Sequence, residues 1–217
     1  YPPNWLYALI PAQFLISWML VAHHGLAGWG TYLLCRQYGL RWSASILAGL
    51  CFLSAPYLLA HTSEGHYPQI CVVAWTPFAF LAVERLRGHQ RGGVALTAAV
   101  LALAFFCGHL QELFYLVLLL TAFLTPDFAG WLRRTRDGSS PQQTGRQLPM
   151  PLAGRWLLAG LAVAGLTAVE LLPMWAYSRQ SIRYAGVGLE QLRQGTLGWA
   201  NLWQLLDPFA LGTATNY

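Results

Sequence analysis

A chain of 217 residues that is 56% hydrophobic and only 10% charged, with a mean hydropathy of +0.42, is too apolar for an ordinary soluble domain and reads as an integral membrane protein. Its formal charge of +5 comes from thirteen basic residues, all arginine. They sit in short loops between apolar segments instead of forming one patch, which argues against nucleic acid as a partner.

A bilayer-spanning helix needs about 20 mostly apolar residues, within a range of about 17 to 25. On that rule helices are predicted near residues 5–35, 43–60, 69–87, 93–107, 110–124 and 155–174. The expected fold is all-α: a polytopic membrane protein of about six transmembrane or partly spanning helices. In the first segment His23 and His24 are adjacent. Neighbours on a helix point about 100° apart, so their rings do not converge on one ion, and a buried hydrogen-bonding role is expected. Gly25, Ala27, Gly28 and Gly30 suit close helix packing. The cysteines, Cys35, Cys51, Cys71 and Cys107, are scattered without a CxxC pair, which indicates neither a disulfide framework nor a zinc site.

The stretch 93–124 needs a decision. As one helix it would be about 48 Å long, against a hydrocarbon core of about 30 Å. Its middle carries Gly108-His109-Leu110-Gln111-Glu112, and an ionisable cluster is expensive at the bilayer centre. Two short helices joined by a tight turn are therefore predicted. Arginine placement agrees, because cytoplasmic loops collect basic residues. With six helices, Arg36, Arg41, Arg85, Arg87, Arg91, Arg133, Arg134, Arg136, Arg146 and Arg155 share one face, leaving Arg179, Arg183 and Arg193 for the other. A single span would move the Arg133 to Arg155 group across and erase the bias.

Residues 126–151 are polar and turn-rich and are expected to form a flexible cytoplasmic linker. Residues 1–174 form the predicted transmembrane domain. Beyond it Trp175, Tyr177, Tyr184, Trp199 and Trp203 favour the membrane interface, so 175–217 is expected to begin an extracytoplasmic or interfacial segment. The opening Tyr1-Pro2-Pro3, with neither methionine nor a charged stretch, is expected to lie inside a longer polypeptide.

This topology gathers on the outer face Glu64 and His66, then His109, Gln111 and Glu112, then Glu170, Arg179 and Arg183. Arginine suits phosphate oxygens, carboxylates suit base or metal work, and amide or imidazole donors suit hydroxyls. Together these are the groups needed to bind an anionic lipid phosphate and a sugar. Each also has a plainer role. Glu64 and His66 fit a solvated loop before Pro68, and His109 with Glu112 fits helix capping. Glu170 follows the apolar run 157–169, where an acid usually faces a partner or a water-filled cavity. No P-loop, dinucleotide fingerprint, HExxH or nucleophile elbow occurs. The residues assign no catalytic group and no metal-ligand set. The cofactor is undetermined, with a divalent metal the open candidate.

The motifs Tyr1-Pro2-Pro3-Asn4, His24-Gly25-Leu26-Ala27-Gly28-Trp29-Gly30, Ala74-Trp75-Thr76-Pro77 with Glu84-Arg85-Leu86, Gly108-His109-Leu110-Gln111, Glu170-Leu171-Leu172-Pro173 and Ser181-Ile182-Arg183 follow one another in an order that resembles the YfhO-like bacterial membrane proteins of the GT-C glycosyltransferase superfamily. The resemblance runs through nearly the whole chain, its weight carried by the order of short motifs. It implies transfer of a sugar from a polyprenyl-phosphate donor to a cell-envelope acceptor, on the outer face of the bacterial cytoplasmic membrane, with membrane lipid as surroundings. It puts the usual catalytic acid in a first outer loop, upstream of Tyr1. Glu64, His66, His109, Gln111, Glu170 and Arg183 then become the wall of the substrate pocket, with Arg179 or Arg183 suited to the departing phosphate. Two other functions compete with this one: a transporter or flippase of lipid-linked substrates, with Glu170 on its path, and a non-catalytic membrane subunit.

Overall fold

In the computed structural model the described residues are helical and contain no strand. They are 1–136 and 151–181, with Tyr184, Gly186, Gly198, Trp199, Leu202, Trp203 and Leu206; within 131–136 only the backbone is described. A short 3-10 helix, Pro2–Ala8, precedes α1 (Ala12–Gln37), α2 (Trp42–Leu53), α3 (Pro56–Ser63), α4 (Tyr67–Arg87), α5 (Gly93–Phe106), α6 (Leu110–Arg136) and α7 (Leu152–Ser178). The chain divides into two compact units, Tyr1–Val169 and Glu170–Tyr217, and each is described by itself.

Four stretches are long and apolar enough to cross a membrane: Trp42–Ser63, which takes in α2 and α3, then Tyr67–Arg87, Leu110–Gly130 and Leu152–Ser178. Helix α1 has the length, with 26 residues, but Gln13, His23 and His24 make it less apolar. Helix α5 has 14 residues and is about 21 Å long. The protein is a helical membrane protein in which α1 falls short in apolarity and α5 only in length.

Prolines set several boundaries differently from the hydropathy pattern. The first long helix begins at Ala12 and not near residue 5, because Pro11 forces the residue before it out of helical geometry. The stretch 43–60 is broken for the same reason at Ala55, which is extended (φ −58°, ψ 138°) ahead of Pro56. Pro126 acts the other way: α6 runs through it to Arg136, correcting the linker predicted from 126. A proline inside a helix forfeits one backbone hydrogen bond, and the contacts around it compensate. Leu124 is fully buried, Phe128 packs against the same core, and Asp127 pairs with Arg87. The rest of that linker, 137–150, lies outside the described residues.

Helix α4 is the centre of the first unit. Ile70, Cys71, Val72, Ala74, Ala79, Ala82, Val83 and Leu86 are all at most 1% exposed, as befits a helix with neighbours on every side. It packs against α1, α3, α5 and α6. Two glycines let α1 approach closely. A Cβ on Gly49 of α2 would lie 2.6 Å from the Gly28 carbonyl oxygen, and one on Gly30 would lie 2.6 Å from the Phe78 ring. Gly25 has nothing within 4 Å and takes no part in this packing.

The stretch 93–124 is two helices. The chain turns at Gly108, whose φ of +88° suits a residue without a Cβ. Leu113 then packs beside Ala104 and Cys107, and Leu116 and Leu120 join Val100 and Leu101 in one cluster, so α5 and α6 run antiparallel. Large apolar side chains such as Leu118 and Leu119 on α6 and Leu157 and Leu161 on α7 remain exposed. These are the lipid-facing positions of a bundle whose backbone polar groups are satisfied within its helices.

Side-chain bonds sort the loops of this unit into two ends. At one, the Tyr38 hydroxyl donates to Glu84 at 2.8 Å, Arg87 holds Asp127 through Nε at 2.9 Å, and Arg155 donates to the Leu86 carbonyl at 2.5 Å. This end carries the arginine-rich loops. The other end carries the two arginine-free clusters.

Candidate functional site

The arginine-free end is built on the last turn of α3. The His66 N–H bonds the His61 carbonyl at 2.9 Å and the Gly65 N–H bonds the Thr62 carbonyl at 3.2 Å, with Gly65 left-handed at φ +76°. These are the two bonds of a Schellman ending, which brings the side chain at the third-last helical position against the one just past the glycine. That contact is usually hydrophobic. Here it joins His61 to His66, whose Nδ1 atoms lie 2.8 Å apart. Glu64, at the helix end between them, places Oε2 at 3.2 Å from His66 Nδ1 and 4.0 Å from His61 Nδ1.

Tyr57 lies one turn before His61 and packs edge-on against its ring, with centroids 4.3 Å apart. Its hydroxyl donates to Glu112 Oε1 at 2.8 Å. The two arginine-free clusters are thereby joined by one path of contacts, Glu112 to Tyr57 to His61 to His66 and Glu64.

His109 immediately precedes α6, and its Nδ1 accepts the Glu112 backbone N–H at 3.3 Å. This is N-terminal capping by a ring nitrogen, with the acid favourably placed in the first turn. His109 Nδ1 is thus engaged by the helix, and the hydrogen bond to the other cluster is made by the Glu112 carboxylate. Gln111 turns to Tyr115, donating to its hydroxyl at 2.9 Å. Glu170 and Arg179 belong to the second unit. Glu170 is half-buried and makes no side-chain hydrogen bond or ion pair among the described residues. Arg179 lies 4.0 Å over the Trp175 ring, a cation–π contact one helical turn long. Arg183 lies outside the described residues.

Two residues of the cluster, His61 and Tyr57, are missed by hydropathy, because a helix predicted to stop at 60 leaves His61 without a register. The signal was present in the spacing His61-x-x-Glu64-Gly65-His66, since a glycine in that place announces the Schellman ending.

His23 and His24 make no such cluster. His23 Nδ1–H donates to the Met19 carbonyl at 2.6 Å, leaving Nε2 to accept from the Tyr1 hydroxyl at 2.8 Å, which in turn accepts from Trp75 Nε1 at 3.1 Å. His24 bonds the Leu20 carbonyl at 2.9 Å. Both are buried or half-buried links between the helix and its surroundings.

Two clefts open at the opposite, arginine-rich end. One of about 670 Å³ is lined by His89, Arg91 and Arg155 among others, and one of about 510 Å³ includes Arg36 and Arg85. These two clefts and the histidine–carboxylate cluster are thus at different ends. Comparison with protein-family models, with curated proteins and with solved structures returns no match.

Proposed function

We propose that this chain is part of a GT-C-like membrane glycosyltransferase, which moves a sugar from a polyprenyl-phosphate donor to a cell-envelope acceptor at the arginine-free end of the helices. One observation carries the reading: Tyr57 donates to Glu112, so acid and imidazole groups from two separate loops form one polar surface beside the membrane-length helices. Such a transferase needs a base for the acceptor hydroxyl and cations for the departing lipid phosphate. By residue type Glu64, Glu112 and the imidazoles suit the hydroxyls of a bound sugar, and arginines such as Arg179 and Arg183 suit a phosphate. The arginine-rich end faces the cytoplasm of the bacterial inner membrane in this reading, by the bias of basic residues toward that side.

The test is transfer itself. Membranes containing the protein receive a radiolabelled polyprenyl-phosphate sugar, and label is followed into acceptor. Glu112→Gln and Glu64→Gln should each slow transfer at least about tenfold, as expected on losing a charged acceptor for a sugar hydroxyl. Transfer at the parental rate in both variants would remove this end of the molecule from the reaction. A flippase is the second reading, supported by Glu170, a half-buried acid within the apolar helix α7. Label that crosses the bilayer without reaching acceptor would decide for it.

A further inference from the structure

We propose that His61, Glu64 and His66 form a binding site for one divalent transition-metal ion of the zinc class, with a coordination position left open to solvent or substrate. The three ligand atoms lie within 4.8 Å of one another, separated by 2.8 Å, 3.2 Å and 4.0 Å. A triangle with those sides has a circumscribed radius of about 2.0 Å, the bond length of zinc to imidazole nitrogen or carboxylate oxygen. An ion at the centre of that triangle is at bonding distance from all three atoms, but the 4.0 Å side sets His61 and Glu64 almost opposite one another. The exposed Glu64 carboxylate therefore has to swing toward His61 to close a tetrahedral set. Three protein ligands leave a fourth position for water or substrate.

The ligand set selects the metal. Two neutral imidazoles with one carboxylate favour zinc and its neighbours over magnesium or calcium, which prefer oxygen alone. Two-histidine, one-carboxylate sites with an open fourth position are the catalytic kind, whereas structural zinc sites are closed by four protein ligands. Exposure agrees with an open site. The Glu64 and His66 side chains are 60% and 47% exposed, while that of His61, at 20%, is held from behind by Tyr57.

The backbone explains why the two imidazoles are together before any ion arrives. The Schellman ending fixes the His61–His66 contact through two main-chain bonds, and Gly65 alone supplies the left-handed turn it requires. The ring of Tyr57, anchored by its bond to Glu112, orients His61 as outer-shell partners orient metal ligands. The site stands whether or not the protein transfers sugars, because it rests on these distances alone.

Cobalt(II) is the probe, since it takes zinc sites and absorbs in the visible. The purified protein in detergent should bind one equivalent of cobalt with the intense bands of tetrahedral coordination, and zinc should bleach them. Glu64→Gln and His66→Ala should each weaken binding at least about tenfold, and His61→Ala/His66→Ala should abolish it. Gly65→Ala, which touches no ligand, should weaken it too by disturbing the turn. Absence of saturable uptake, or uptake unchanged in the double variant, would overturn the proposal. So would a thiolate-to-cobalt charge-transfer band, which would hand the ion to a cysteine. If the double variant fails to fold, unchanged affinity in Glu64→Gln, altered only at a largely exposed side chain, refutes the site equally.

Discussion

The Tyr57 hydroxyl bonds the Glu112 carboxylate at 2.8 Å across 55 residues of sequence, tying the short helix α3 to the first turn of α6. Neither residue is remarkable alone. Together they fasten two loops that would otherwise meet only through the helices below them, and they put a carboxylate within one aromatic ring of a histidine.

That bond should be measurable as coupling. In a double-mutant cycle of Tyr57→Phe and Glu112→Gln, followed by thermal unfolding in detergent, the coupling energy is expected near 1 kcal/mol, the usual net worth of such a hydrogen bond. Zero coupling would mean that the two clusters are neighbours without being fastened.

Close packing of α1 on α2 predicts a contrast between glycines. Gly49→Ala forces a Cβ to 2.6 Å from the Gly28 carbonyl and should destabilise by about 1 to 3 kcal/mol, the range for overpacking. Gly25→Ala, with open space around it, should leave stability unchanged or raise it through alanine's better helix propensity. Equal losses at both positions would show that the Gly28–Gly49 approach does not set the cost.

Sidedness follows from the two ends. With Cys35 and Cys51 replaced by alanine, single cysteines at positions 63 and 110 should react with an impermeant thiol reagent from one side of the membrane, and one at position 91 from the other. Labelling of 110 and 91 from the same side would break the topology.

Tyr38 offers a pH signature at the arginine-rich end. Desolvation, reinforced by its bond to the Glu84 carboxylate, pushes its hydroxyl from the ordinary value near 10 up to about 12. Because the neutral form is the one stabilised by folding, that contribution is present below pH 10 and disappears as pH rises through 12. An ultraviolet titration of the folded protein should therefore lose, in Tyr38→Phe, a phenol that ionises near 12. Loss of one that ionises near 10 would place Tyr38 free in solvent.

Much of the helical framework was readable without coordinates. The division of 93–124 rested on two physical limits, bilayer thickness and the cost of burying charge, and the helices Gly93–Phe106 and Leu110–Arg136 flank the residues where those limits required a turn. Proline boundaries were less legible. Pro11 and Pro56 end helical geometry while Pro126 does not, and only the packing of Leu124 and Phe128 with the Asp127–Arg87 pair separates the cases. Within the candidate site the sequence named Glu64, His66 and Glu112 but not His61 or Tyr57. It also grouped His109 and Gln111 with them, whereas local bonds occupy His109 as a cap and turn Gln111 toward Tyr115.

Composition alone determined that this chain belongs in a membrane as a bundle of helices, because hydropathy and the spacing of charge act through solvent and need no knowledge of partners. Which side chains meet was decided only by tertiary structure. A Schellman turn, a ring packed edge-on and a hydroxyl reaching another helix bring together side chains that sequence spacing alone leaves apart.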